Sequence, residues 1–202
     1  MQNSLKNTKI STSNLVKLAI LSAIGYILMF ISVPLPMLFP EFLKIDISDI
    51  TALMASVSMG PLAGIVVEFM KNLLQVVTGA STTSGVGEFA NFIIGSSFVY
   101  TVGVVYGRKK ELKSLIRGLS LGVVIMAIVG CIANYFIILP FYDVVAGWDT
   151  QSIVDMGAVI NPLVTDKITF VIWMIAPFNV LKSVLMGLIL LPVYKKMDRL
   201  LK

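Results

Sequence analysis

Four long apolar runs dominate the chain: Leu15–Val33, Gly87–Tyr106, Leu115–Leu139 and Ile168–Tyr194. Each approaches or exceeds the roughly 20 residues a helix needs to cross about 30 Å of hydrocarbon. Between the first two lies a further apolar stretch, Asp49–Val77, interrupted by Gly60-Pro61. Proline removes an amide donor and clashes with the preceding turn, while glycine permits a tight reversal. The stretch therefore reads either as one kinked helix or as two antiparallel helices, 49–59 and 61–77. The first of these would cover only about 16 Å at about 1.5 Å per residue, so it must be buried against protein or entered from a loop dipping into the membrane. Ser48 or Asp49 can cap its start.

Charge placement decides between the two. With six helices, both termini fall on one side, together with Lys6, Lys9, Lys17, Arg108, Lys109, Lys110, Lys113, Arg117, Lys195, Lys196, Arg199 and Lys202. Only Lys44 and Lys167 fall on the other side, among the acids Glu41, Asp46, Asp49, Asp143, Asp149, Asp155 and Asp166. With five helices, the basic run Arg108–Arg117 would oppose the basic N-terminus. The positive-inside rule favours six. The expectation is an all-α, multi-pass membrane protein: one domain over 1–202, spans at 15–33, 49–59, 61–77, 87–106, 115–139 and 168–194, and both termini cytoplasmic.

Composition agrees with this class. Only 13% of the 202 residues are charged and 57% are hydrophobic, against about 25% charged in a soluble domain. The net charge of +5 sits at predicted membrane edges, so it does not imply nucleic-acid binding. Leu15–Val33 is too long for a signal-peptide core and ends in Pro34 and Pro36 without a small-residue cleavage site. There is no histidine and a single cysteine, Cys131, which excludes an intrachain disulfide, His-rich metal sites and His-based acid–base catalysis. Cys131 lies in an apolar run and reads as a packing residue.

Two segments outside the spans are long. Pro34–Ser48 carries Pro34, Pro36 and Pro40 and is mostly apolar; it reads either as a lid over a cavity or as a proline-stiffened connector. Pro140–Lys167 is acidic and is expected to hold a short amphipathic helix near Gln151–Ile160.

Several polar residues fall inside the spans. Lys182 lies mid-way along the last apolar run, where a cation costs about 2.5–3.5 kcal/mol by insertion scales. Asn179 shares its face at i, i+3. Glu68, Lys71 and Gln75 follow one face of the third helix, Glu88 and Asn91 open the fourth, and Asn134 lies near the outer end of the fifth. Glu68 and Lys71 can neutralise each other, or Lys71 can pair with Glu88. Asn179 and Lys182 have no acid within one turn, which points to ligand contact in an outward-facing polar cavity. On the first helix, Ala19-x-x-x-Ala23 forms a groove for another helix, serving either packing within the chain or a partner. No phosphate-binding loop, zinc motif, nucleophile elbow or paired catalytic carboxylates occur. The acids within the spans are few for a proton relay, and the chain is small for a self-sufficient carrier built from inverted repeats. The pattern suggests a non-enzymatic binder whose energy comes from a partner.

These residues resemble the substrate-binding S components of energy-coupling factor (ECF) vitamin transporters, most closely the riboflavin-specific members. The likeness covers almost the whole chain. It rests on Ala19-x-x-x-Ala23, Leu43-Lys44-Ile45-Asp46-Ile47-Ser48-Asp49-Ile50 and Gly60-Pro61-Leu62-Ala63-Gly64. It extends through Glu68-Phe69-Met70-Lys71-Asn72-Leu73-Leu74, Gly87-Glu88-Phe89-Ala90-Asn91-Phe92 and Asn179-Val180-Leu181-Lys182. The resemblance implies that Asn134, Asn179 and Lys182 hydrogen-bond the vitamin and that the first loop, around Leu43, covers it. Lys44, Asp46, Lys71, Glu88 and Asn91 complete the candidate set. It further implies that Ala19 and Ala23 dock on a membrane coupling subunit bearing two ATP-binding subunits. Riboflavin would then be cargo: an Asn amide offers the donor and acceptor that the pyrimidine edge of a flavin needs, Lys182 can donate to a flavin oxygen, and apolar side chains suit the fused rings. No cofactor and no metal are expected. The alternatives are an S component for another small vitamin and a self-sufficient proton-coupled carrier.

Overall fold

The structure, a computed structural model, describes residues 11–200. Lys6, Lys9 and Lys202 of the charge argument lie outside them. The chain is a bundle of helices: α1 Thr12–Met29, α2 Asp49–Met59, α3 Pro61–Val77, α4 Val86–Gly107, α5 Leu112–Ala146 and α6 Thr150–Ile160. The last, α7, runs through Lys167–Phe170, a π turn at Val171–Ile175, and Ala176–Leu200. Among the described residues, four helices (α1, α4, α5 and α7) are long and apolar enough to cross a membrane, and α2 is a shorter apolar helix.

The interruption at Gly60-Pro61 separates two helices packed on each other. Gly60 adopts φ 107°, a region that favours glycine, and Pro61 takes the first helical position of α3, where its missing N–H costs nothing. Gly64 faces the α2 backbone so closely that a Cβ there would sit 2.9 Å from the Ala52 carbonyl oxygen. Helix α2 is buried on nearly every side: Ala52, Leu53 and Ala55 are inaccessible and Ile50, Thr51, Ser56 and Val57 nearly so. It packs against α1, α3, α4 and α7. A helix too short to span is thus enclosed by protein, as its length demands.

The all-α expectation needs one correction. A two-stranded antiparallel ribbon, β1 Ser32–Pro34 and β2 Lys44–Asp46, pairs Ser32 with Asp46, Val33 with Ile45 and Pro34 with Lys44. The first helix therefore ends at Met29 rather than Val33. Val33 precedes a proline, which disfavours the helical conformation, and extended pairing with β2 takes its place.

Helix α5 extends beyond the expected end at Leu139. It passes through π turns at Asn134–Ile138 and Tyr142–Ala146, with Pro140 between them. The widened turns give the proline ring room that an α-helical turn would deny it. Gly147, at φ 68°, closes the helix. The acidic connector that follows is largely helical. The Asp149 carboxylate accepts from the Gln151 and Ser152 amides at the start of α6. Asp166 and Thr169 form a capping box at the start of α7, the reciprocal arrangement that satisfies two orphan amides.

Large apolar side chains such as Ile20, Ile24, Ile27, Val124, Ile128, Ile132 and Leu188 lie on the outside of the bundle. In water such a surface would be a liability; in hydrocarbon it is what the solvent requires. The interior is built from Phe98, Val99 and Val102 of α4, Leu115 and Met126 of α5, and Phe170, Met174 and Met186 of α7.

Candidate functional site

The helices enclose a cavity of about 270 Å³ bounded by α1, α3, α4, α5, α7 and the ribbon. Leu43, Lys44, Asp46, Glu88, Asn91, Asn134, Asn179 and Lys182 of the sequence-derived set all line it. Lys71 does not. It is wholly buried below the cavity, where its ammonium meets Asp49, the Ser48 hydroxyl at 2.7 Å and Glu68 Oε2 at 3.1 Å. The alternative pairing of Lys71 with Glu88 is not formed. Glu88 instead accepts from the Ser81 hydroxyl at 2.7 Å and the Thr83 hydroxyl at 3.3 Å.

Lys182 has acidic partners after all, contributed from far along the chain. Its Nζ lies 3.2 Å from Asp46 Oδ2, 3.1 Å from Asp49 Oδ2 and 2.7 Å from Asn91 Oδ1. Asp49 sits between the two lysines, one carboxylate oxygen facing each. Its contact with Lys182 is an ion pair without hydrogen-bond alignment. Asn91 passes the network on, donating to Asn72 Oδ1 at 3.1 Å. Removing charges from water is costly unless each finds opposite charge and hydrogen bonds, and these residues supply both. The sequence offers Ser48 or Asp49 as the cap of α2. The Ser48 side chain caps nothing there; its hydroxyl donates to Asp46, whose carboxylate also accepts the Ser48 amide at 2.9 Å.

Two of the three cavity asparagines, Asn134 and Asn179, are held alike. Asn134 Nδ2 donates to the Gly130 carbonyl at 2.8 Å, and Asn179 Nδ2 donates to the Ile175 carbonyl at 2.9 Å. Each amide nitrogen gives one hydrogen to its own helix and keeps a second, while each Oδ1 stays open to an incoming donor. Both residues adjoin π turns: Asn134 begins one and Asn179 follows the end of another. Such turns recur at functional sites because they re-aim side chains.

The first loop is packed against the helices rather than left loose. Phe39 packs edge-on against Phe178 of α7 at 5.4 Å between centroids, and Phe42 meets Tyr142 at 5.7 Å and Trp148 at 6.0 Å. Sequence reasoning missed Phe42, Gln75, Thr83, Met126, Tyr142 and Phe178 as lining residues. Aromatic and Met positions in an apolar chain carry no signal of their own. Gln75, by contrast, shared the polar face of α3 and could have been included.

On α1, Leu21, Ser22, Gly25 and Met29 are buried while Ala19 and Ala23 are exposed. The alanine groove is therefore not used for packing within the described chain.

A partly polar cavity inside a bundle of membrane-type apolar helices is what the fold provides, and comparison with known proteins gives the family. The family described as "ECF transporter, substrate-specific component" matches residues 13–194; the chain belongs to this family, whose members serve transport rather than catalysis. The riboflavin transporter RibU of Staphylococcus aureus is 37% identical over 188 residues, covering 93% of this chain and 92% of that protein. The riboflavin transporter FmnP of Bacillus subtilis is 36% identical over 186 residues, covering 91% and 90%. A solved structure reported as "Structure and mechanism of the S component of a bacterial ECF transporter" superposes with a TM-score of 0.72 at 34% identity, covering 94% of this chain and 97% of that one.

Proposed function

We propose that this chain is a riboflavin-binding S component of an ECF importer, holding the vitamin in the cavity beneath the first loop. The observation that carries the reading is the convergence of Asn91, Asn134, Asn179 and Lys182 from three helices on one cavity, in a chain 37% identical to a riboflavin transporter. The open Oδ1 and remaining N–H of Asn134 and Asn179 suit the alternating acceptors and donor of a flavin pyrimidine edge. Met126, Ile138, Ile175 and Phe178 supply an apolar slot for the fused rings. Lys182 is the cation that the last helix brings to the site, beside Lys44 of the ribbon; already held by Asp46 and Asn91, it presents its remaining reach to a ligand oxygen.

The chain crosses the bacterial cell membrane six times, with both termini cytoplasmic and the cavity facing outward. Two placements support this. Asn91 and the basic turn Arg108–Lys113 belong to opposite ends of α4, a helix of 22 residues and about 33 Å. Tyr106 and Tyr194 meet through their hydroxyls at 3.0 Å, which brings that basic turn to the same end as Lys195 and Lys196. Ala19 and Ala23 dock against a membrane coupling subunit, which works with two ATP-binding subunits and surrounding lipid to move the vitamin inward.

The test is spectroscopic. Protein purified from cells supplied with riboflavin is expected to carry a yellow chromophore, and ligand-free protein to quench riboflavin fluorescence on titration. Asn179→Ala and Lys182→Ala are each expected to weaken binding at least about tenfold, the loss of one or two hydrogen bonds to a ligand. A colourless protein that ignores added riboflavin would remove the substrate assignment.

A further inference from the structure

Gly130 touches two of the cavity asparagines, Asn134 and Asn179. Its carbonyl oxygen accepts from Asn134 Nδ2 at 2.8 Å. On its other side, a Cβ built on Gly130 would lie 2.6 Å from Asn179 Nδ2 and 3.1 Å from Asn179 Cγ. The missing Cβ is therefore the space in which the Asn179 amide rests. That amide is anchored in turn by the Ile175 carbonyl at 2.9 Å, so its nitrogen is lodged between α5 and α7 while Oδ1 is left unbonded. Asn179 is 4% exposed, and the space open to it on the other side is the cavity that it lines.

We propose that Gly130 is a positioning residue for ligand recognition: it sets the orientation of Asn179, and through its carbonyl that of Asn134, so that one backbone site on α5 fixes two recognition groups of the cavity. This rests on the reading of Asn134 and Asn179 as vitamin ligands. The atoms that an added methyl group would meet belong to the end of the Asn179 side chain, not to backbone. An alanine at this position is therefore absorbed by turning Asn179, which breaks its bond to Ile175 and misdirects its amide, while the helices stay in place.

A double-substitution cycle in the purified full chain, read by riboflavin fluorescence titration, separates this from a general packing effect. Gly130→Ala is expected to weaken binding at least about tenfold in the otherwise native chain and by no more than about twofold when Asn179 is already alanine. Equal losses in both backgrounds, or no loss in the first, overturns the proposal. If Asn179→Ala alone leaves affinity unchanged, the ligand assignment of Asn179 fails instead. If Asn179→Ala abolishes binding, the same cycle is read on the melting temperature of the ligand-free protein. There a loss caused by Gly130→Ala that disappears beside Asn179→Ala supports the contact, and additive losses overturn it. Should Gly130→Ala fail to fold, the double variant decides in the same way: recovery supports the proposal, and continued failure places the clash elsewhere and refutes it.

Discussion

Lys182 and Asp46 are 136 positions apart in sequence and 3.2 Å apart in space. One is in the middle of the last helix; the other ends the second strand of the lid ribbon. Their contact ties the first loop directly to Lys182, a cation that the last helix presents to the cavity. Asp46 also receives the Ser48 amide and hydroxyl, so the entry to α2 hangs on the same carboxylate. Asp46→Asn keeps the shape and removes the charge. We expect riboflavin affinity to fall about tenfold, as for a charge-assisted bond reduced to a neutral one, mainly through faster dissociation. Stopped-flow release of the bound flavin checks this; unchanged or slower release would contradict it.

Lys71 lies deeper and has a different task. Among the described residues it is wholly buried, and it neutralises Asp49 and Glu68 without lining the cavity. Lys71→Met leaves those carboxyl groups facing one lysine fewer. Breaking a buried pair from one side costs about 3–5 kcal/mol. A sharp fall in melting temperature of the ligand-free protein is expected, with riboflavin affinity of the folded fraction within about threefold of native. A variant as stable as the native chain would show that the buried network is not structural.

Ala19 and Ala23 face outward from α1 while Ser22, Gly25 and Met29 face the bundle. Both alanines are exposed among the described residues, so an indole at either fills the groove through which another helix would approach. Ala19→Trp and Ala23→Trp are expected to bind riboflavin normally and to lose copurification with the coupling module. Retention of the complex in both variants would move the docking face elsewhere.

Much of this was legible in the sequence because a membrane imposes length and charge rules. The Gly60-Pro61 break, α2 and α3 were placed at their observed bounds, and eight candidate residues reached one cavity. What escaped was non-local. Nothing near Lys182 in sequence announces Asp46 or Asp49 as its partners, because the lid ribbon and α2 bring them there from the other end of the chain. The ribbon itself escaped because three-residue strands have no periodicity to detect. The helix expected near Gln151–Ile160 is present as Thr150–Ile160, and the caps at Asp149 and Asp166 carried a further signal that went unread: each acid is followed three residues later by Ser or Thr.

The lid gives the last prediction. Phe42 lines the cavity and touches both Tyr142 and Trp148, which stack on each other at 5.4 Å. These rings join the first loop to the end of α5 and the segment that follows it, so any movement of the loop away from the cavity parts Phe42 from both. An aromatic contact contributes about 0.5–1.5 kcal/mol beyond its buried area. Phe42→Ala is expected to speed riboflavin dissociation about tenfold, since the closed state loses contacts, and to leave association within about twofold, since entry proceeds through the open state in either protein. Phe42→Tyr keeps the ring and is expected to release the vitamin at nearly the native rate. Stopped-flow traces of both variants decide the matter: equal dissociation from Phe42→Ala and the native chain would mean that the first loop does not hold the ligand in.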